Sequence, residues 1–417
     1  MNKSVFSNSL WMMSEKIISI FGLIFVTSYV AKYVGPNIYG QIAFATSLFQ
    51  IVQIVSQMGS DVIIFKRLSK NNSSGIKLIN ETSFIRGVVY IFISIPIVFW
   101  SIESENNYSL YFIVACCLSC FFTSLDVYSV YYDARLESKK NVFVNVLGLI
   151  VSLFLRWGIA VFKLDPVFLS IPIIFTGMFP YFFRMYLFRK NLGIRASNKK
   201  NKFKYIRFLI ASGSSFVISS ISVAIYTRVS LLLLGFFCGS SLLGIYSVAV
   251  SLATSWIFVC NSFITSNLPS IFSSNNELET IKITAKLNIL VILIGCVVIS
   301  FAIIGGHYGI SLLYGKDYVL AYTPFVILCA ATLFSSLGTI ASRFIAKYSG
   351  YSYLSKKAFC VLILSIMLNV IFINLWGIIG AAIATLATEF ISLTLLNYLF
   401  KGGIVLKLHA YKIFYRG

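Results

Sequence analysis

Apolar residues recur along this chain in long, nearly unbroken runs separated by short polar stretches, and most runs are long enough for a bilayer core of about 30 Å. They predict twelve helices, at residues 10–34, 38–63, 82–100, 110–132, 142–162 and 167–188, then 205–235, 242–271, 281–305, 325–348, 357–375 and 378–400. Two glycine-framed turns divide the pattern. Tyr33-Val34-Gly35-Pro36-Asn37-Ile38-Tyr39-Gly40 joins the first pair of runs, and Phe237-Cys238-Gly239-Ser240-Ser241-Leu242-Leu243-Gly244 joins the first pair of the second half. Laid over one another, the turns and the helices after them share Gly35/Gly239, Gly40/Gly244, Ala45/Ala249, Ser47/Ser251 and Leu48/Leu252. The expected architecture is all-α and membrane-integral, with two pseudo-symmetric six-helix lobes at residues 1–195 and 205–417 joined by a basic linker at 196–204. Paired hydrophobic halves of this kind point to a transporter with its pathway between them.

Polar side chains inside the runs refine that picture, because in hydrocarbon they are costly and usually face the bundle interior or a wet cavity. The second run carries Thr46, Gln50, Gln53, Gln57 and Asp61 at steps that place them along one helix face. Its counterpart carries Ser247, Ser251, Thr254, Asn261 and Thr265 at similar steps. Serines and threonines alone would serve as packing contacts between helices, but a row of three glutamines fits a water-filled path better. In the seventh run Gly213, Ser220, Ala224 and Arg228 share a face, small residues beside a guanidinium that suits phosphate oxygens. Arg156 and Lys32 are further candidate substrate contacts. The plainer alternatives are an internal ion pair for Arg156, with a carboxylate such as Asp165, and snorkelling to the interface for Lys32. Asp61, Asp126 and Glu389 lie at or near membrane depth and are candidates for ion coupling or for structural ion pairs.

Composition agrees with a membrane protein. Hydrophobic residues make up 58% of the chain and charged ones 11%, and the mean hydropathy is +0.88. The net charge of +21 does not indicate nucleic-acid binding, because the basic residues collect in alternate loops. Counted from an inside start, the outer ends hold only Lys32, Lys163 and Lys316, with Arg156 and Arg228 left inside helices. That asymmetry places both termini in the cytoplasm of a multi-pass protein. The most basic polar stretch, residues 189–207, reads as a solvated linker near anionic headgroups. The eight cysteines lie in or at the ends of apolar runs, and the two histidines stand far apart, so neither a disulfide framework nor a metal constellation is expected. Gly309–Asp317 fails as a phosphate loop, with one residue too many between its glycines and Asp where Ser or Thr belongs. No nucleophile–base pair or cofactor motif is evident, so an enzyme is not expected.

Asn369, then Leu375-Trp376-Gly377-Ile378-Ile379-Gly380-Ala381-Ala382-Ile383-Ala384-Thr385, then Glu389, resembles the asparagine, G-x-x-G-A-A-x-A-T and glutamate of polysaccharide-biosynthesis flippases. Trp11 and Val30-Ala31-Lys32-Tyr33-Val34-Gly35-Pro36 with Tyr39-Gly40 resemble that family's opening turn, with Lys32 in place of the usual arginine. Met58-Gly59-Ser60-Asp61 before Lys66-Arg67, and Tyr314-Gly315-Lys316-Asp317-Tyr318, are similar to further segments of it. The resemblance is to the O-antigen (Wzx-type) branch of the multidrug/oligosaccharidyl-lipid/polysaccharide (MOP) exporter superfamily. It implies a MATE-like fold and movement of an undecaprenyl-pyrophosphate-linked oligosaccharide between the leaflets of a bacterial cytoplasmic (inner) membrane. It further implies bilayer lipid as surroundings and a polysaccharide polymerase and chain-length regulator as protein partners; with no nucleotide signature in the chain, movement would draw on a proton or sodium gradient or on the substrate gradient itself. The alternatives are a drug or cation extruder of the same fold, a lipid II flippase, and a membrane O-antigen polymerase or ligase.

Overall fold

The computed structural model describes residues 3–103, 107–192, 202–274 and 276–409. Those residues are almost wholly helical: α1 Lys3–Gly22, α2 Ser28–Gln57, α3 Ser60–Lys70, α4 Asn72–Glu103, α5 Asn107–Leu125, α6 Tyr128–Ala134, α7 Ser138–Val161 and α8 Ser170–Leu192. There follow α9 Lys202–Thr254, α10 Ile257–Ser273, α11 Glu277–Tyr314, α12 Tyr322–Lys347, α13 Tyr351–Leu393, α14 Leu395–Tyr398 and α15 Ile404–His409. Among the described residues eight helices are long and apolar enough to cross a membrane, or nine if the bent pair α5–α6 is one span. Three of these stretches, of 45, 56 and 48 residues, are each long enough for two crossings at about 1.5 Å per residue. Each contains a glycine with non-helical backbone: Gly35, Gly239 and Gly377.

The repeated turn is a repeated backbone. Gly35 has φ 75° and ψ 169°, and Gly239 has φ 82° and ψ 174°. A side chain is strained at such positive φ, so the two matched glycines are required by the turn itself. The chain divides into two compact units, Met1–Ala224 and Ile225–Gly417. The expected linker at 196–204 falls largely outside the described residues, and residues 202–204 open α9.

The first unit is built on α2, α4, α5, α7 and α8. Phe49, Tyr90, Phe112 and Cys116 are buried in one cluster, and Ile64, Ile79, Tyr131 and Tyr132 in a second. α5 and α8 approach so closely at Gly177 that a Cβ there would meet the Ser119 carbonyl oxygen at 2.1 Å. In the second unit Cys260, Val291, Ile340 and Phe344 lie in one buried cluster. There Lys347 Nζ donates to Ile271 O at 2.7 Å, Ser274 O at 2.7 Å and Thr280 Oγ1 at 2.6 Å, closing the C-terminal end of α10. Large apolar side chains point outward on both units: Phe92 is 80% exposed, Phe154 70%, Phe301 73% and Ile304 84%. A surface like that is suited to lipid.

Several boundaries differ from the sequence expectation. The second run does not continue to residue 63: α2 stops at Gln57, because Met58 (φ 49°) and Gly59 (φ 60°) both adopt the left-handed conformation that ends a helix. The fourth run breaks at Asp126–Val127 and bends by 40°. The gap expected between the runs 281–305 and 325–348 is mostly helix, since α11 runs to Tyr314 and a 3-10 turn follows at Lys316–Ala321. Gly306 is not a breaker there; it gives room to the Phe325 and Tyr322 rings.

Candidate functional site

In α2 the core-facing side is Ala45, Phe49, Val52 and Ser56. Thr46, Gln50, Gln53 and Gln57 form a second stripe about 100° round the helix, half-buried rather than packed into the unit. Thr46 Oγ1 donates to Ile42 O at 2.7 Å and lies 3.4 Å from Cys116 Sγ. Gln50 Oε1 is buried without a hydrogen-bond partner. Asp61 does not extend this row as expected, because the left-handed pair Met58–Gly59 interrupts the helix and puts Asp61 in the first turn of α3. Its Oδ1 accepts from Arg86 Nη2 at 2.5 Å. Arg86 also donates to Ser60 Oγ (3.0 and 2.6 Å) and to Ser124 O at 3.2 Å.

The matching row in the second unit is likewise parted, since α9 ends at Thr254 and α10 begins at Ile257 after a turn. Ser247 is buried and donates to Gly244 O at 2.8 Å; Ser251 and Thr254 donate to Ser247 O and Val250 O, each at 2.8 Å. Those hydroxyls are satisfied by their own helix. Asn261 and Thr265 stand exposed on α10, away from the buried side formed by Cys260 and Ile264. Arg228 is half-buried on α9, one turn beyond buried Ala224.

Lys32 is exposed near the Gly35 turn. Arg156 is on the buried side of α7, and its Nε has no hydrogen-bond partner. Asp165 does not pair with it; that carboxylate instead accepts from Val167 N at 2.9 Å and caps the short turn before α8. Asp126 is buried and salt-bridged to Arg184, whose Nη2 also donates to Asn145 Oδ1. Glu389 lies on the second leg of α13, near Ser335, Lys357 and Tyr226. Lys357 Nζ itself donates to Asn397 Oδ1 at 2.8 Å. The count of inner-side charges took in Arg184 and Lys357 as loop residues and left Arg86 open. The signal that they are not lay in their flanks: Arg184, for instance, sits within Tyr181-Phe182-Phe183-Arg184-Met185-Tyr186, an apolar helical stretch.

Comparison with known proteins gives four findings. The family model described as polysaccharide biosynthesis protein matches residues 5–275. A probable low-salt glycan biosynthesis flippase of Haloferax volcanii is 26% identical over 201 residues, which is 46% of this chain and 41% of that protein. The match thus spans well under half the length of that relative. The lipid II flippase MurJ, in an inward closed conformation, overlays with a TM-score of 0.72 at 12% identity, covering 98% of this chain and 91% of that one. An inward-facing multidrug resistance MATE transporter of the MOP superfamily gives a TM-score of 0.69 at 13% identity, over 99% and 100% of the two chains. At such identities the overlays establish the fold alone, a multi-pass all-helical membrane architecture.

Proposed function

The chain belongs to the polysaccharide biosynthesis protein family, and on that premise we propose that it is a flippase for an undecaprenyl-pyrophosphate-linked oligosaccharide. The cargo is an O-antigen or similar repeat unit, moved from the cytoplasmic to the periplasmic leaflet by alternate exposure of a polar path. In this reading the chain crosses a bacterial inner membrane twelve times, the three glycine-kinked stretches each crossing twice, with both termini in the cytoplasm. The lobes are residues 1–195 and 205–417, joined by the basic linker.

The observation that carries the proposal is the row Gln50, Gln53 and Gln57, half-buried beside the core side of α2, with Gln50 Oε1 left unpartnered. An amide offers two donors and an acceptor, the complement of sugar hydroxyls, and a hydrocarbon neighbour satisfies neither. We assign Arg228 as a forked cation for the pyrophosphate, and exposed Asn261 and Lys32 as further polar contacts for the cargo. Glu389, whose neighbouring ammonium on Lys357 is bonded to Asn397, is the acid we assign to proton or sodium coupling.

A leaflet-resolved assay of lipid-linked oligosaccharide in proteoliposomes tests this. Replacing Gln50, Gln53 and Gln57 together with Leu, or Arg228→Ala, is expected to abolish flipping while leaving membrane insertion intact. Arg228→Lys restores part of it, because it returns the charge without the fork. Wild-type flipping by both the triple variant and Arg228→Ala would refute the proposal. The overlay with the multidrug transporter favours one rival, extrusion of cationic compounds. Dye efflux that survives Arg228→Ala would support that rival.

A further inference from the structure

We infer that the N-terminal unit holds an oxyanion-binding site of its own, centred on Arg156, for a carboxylate or phosphate group. Along α7 the buried positions are Ser152, Leu153, Ile159 and Ala160, whereas Phe154 and Trp157 point outward. Arg156 falls three residues from both Leu153 and Ile159, on the inward side. Three contacts fix what it faces. Asn145 Nδ2 donates to Glu15 Oε1 at 2.9 Å, a Cβ on Gly22 would meet Leu153, and Tyr33 OH donates to Leu164 O. All three pairs have nearly the same sequence separation, 130 or 131 in the two hydrogen bonds, so the first helical stretch runs parallel to α7 and in register with it. The same register sets Arg156 beside the π-helical segment Leu23–Thr27.

That segment interrupts an otherwise α-helical stretch, as π-bulges often do at functional positions. It leaves Thr27 Oγ1 buried without a partner, within a turn of the position the register sets opposite Arg156, whose Nε is in the same condition. Tyr39 and Cys116 are within electrostatic range of the guanidinium, and Cys116 touches Thr46 at the head of the glutamine row. No carboxylate pairs with Arg156 among the described residues. A half-buried guanidinium in a membrane unit, its Nε sealed off without an acceptor, is costly, and the register brings a second unused polar group within a turn of it. A planar fork donating to two oxygens is the chemistry left open. The assignment rests on the flippase reading for its natural source, the pyrophosphate or an acidic sugar of the cargo.

The test uses the full chain in lipid nanodiscs, titrated separately with inorganic pyrophosphate and with sodium glucuronate, with the melting temperature as readout. At least one oxyanion should stabilise the wild type saturably. Arg156→Gln should weaken that binding by about ten- to a hundredfold, and Arg156→Lys should fall between, which keeps the test alive if the Gln variant fails to fold. Lys163→Gln, which removes an exposed charge just beyond the same helix, should leave it unchanged. Pyrophosphate binding points to the carrier lipid, and binding of glucuronate alone to an acidic sugar; either supports the site. Wild-type affinity in Arg156→Gln, or no response of the wild type to either anion, overturns it. Unimpaired flipping by both the triple glutamine variant and Arg228→Ala would sink the proposed function without touching this result.

Discussion

Gly380→Ala should prevent the C-terminal unit from assembling, although it adds a single methyl group. α13 turns back at Gly377, whose φ of 55° and ψ of −126° lie outside the helical region. Three residues later a Cβ on Gly380 would meet Phe372 O at 1.8 Å, Phe372 C at 2.4 Å and Ile373 N at 3.1 Å. These are backbone atoms of the opposing leg, so no rotamer change relieves the overlap. The legs must separate, and with them Ala381, Ala382 and Ala384, none of which has any exposed surface. The cost should exceed the usual overpacking range of about 1–3 kcal/mol. Gly338→Ala is the matched control: nothing lies within 4 Å of a Cβ there, and replacing a helical glycine is expected to stabilise by about 0.5–1 kcal/mol. Thermal melting and the yield of monodisperse protein in detergent should separate the two sharply. Equal melting temperatures would mean that the two legs do not pack this closely.

The same motif shows what was legible in the sequence. Gly380 and its alanines announce close helix packing by their size alone, and the twin turns at Gly35 and Gly239 announce a repeat. Both are local features, in which residue type dictates backbone or approach distance. Periodicity failed where a helix broke. The row that joined Gln57 to Asp61 on paper is severed by Met58 and Gly59, and no spacing rule reveals that a methionine adopts φ 49°. Asn261 and Thr265 parted from Ser251 for the same reason. Pairing of charges was least legible. Asp61 with Arg86 and Asp126 with Arg184 are separated by 25 and 58 residues, and only tertiary packing brings them together. Of the three acids singled out, two are thereby engaged by guanidinium groups within the first unit, which is why Glu389 stands apart from them.

The second large effect concerns one of those pairs. Arg184→Leu should destabilise the N-terminal unit by about 3–5 kcal/mol, the range for removing one partner of a buried ion pair. Asp126 is 7% exposed and Arg184 6%, so water does not replace the missing cation. The guanidinium also holds Asn145, and Asn145 holds Glu15, so that the loss reaches the bend between α5 and α6, then α7, α8 and α1. Asp126→Asn combined with Arg184→Leu should recover much of the loss, because the stranded charge is gone; a buried pair contributes less than breaking it costs. The double variant also decides what Asp126 does. If the carboxylate serves only the fold, the double variant melts near the wild type and still flips lipid-linked oligosaccharide. If it carries a coupling ion, transport is lost in a protein whose stability has returned, and Asp126 joins Glu389 in the transport cycle. Melting and flipping measured on the same three preparations, wild type, single and double, distinguish these outcomes.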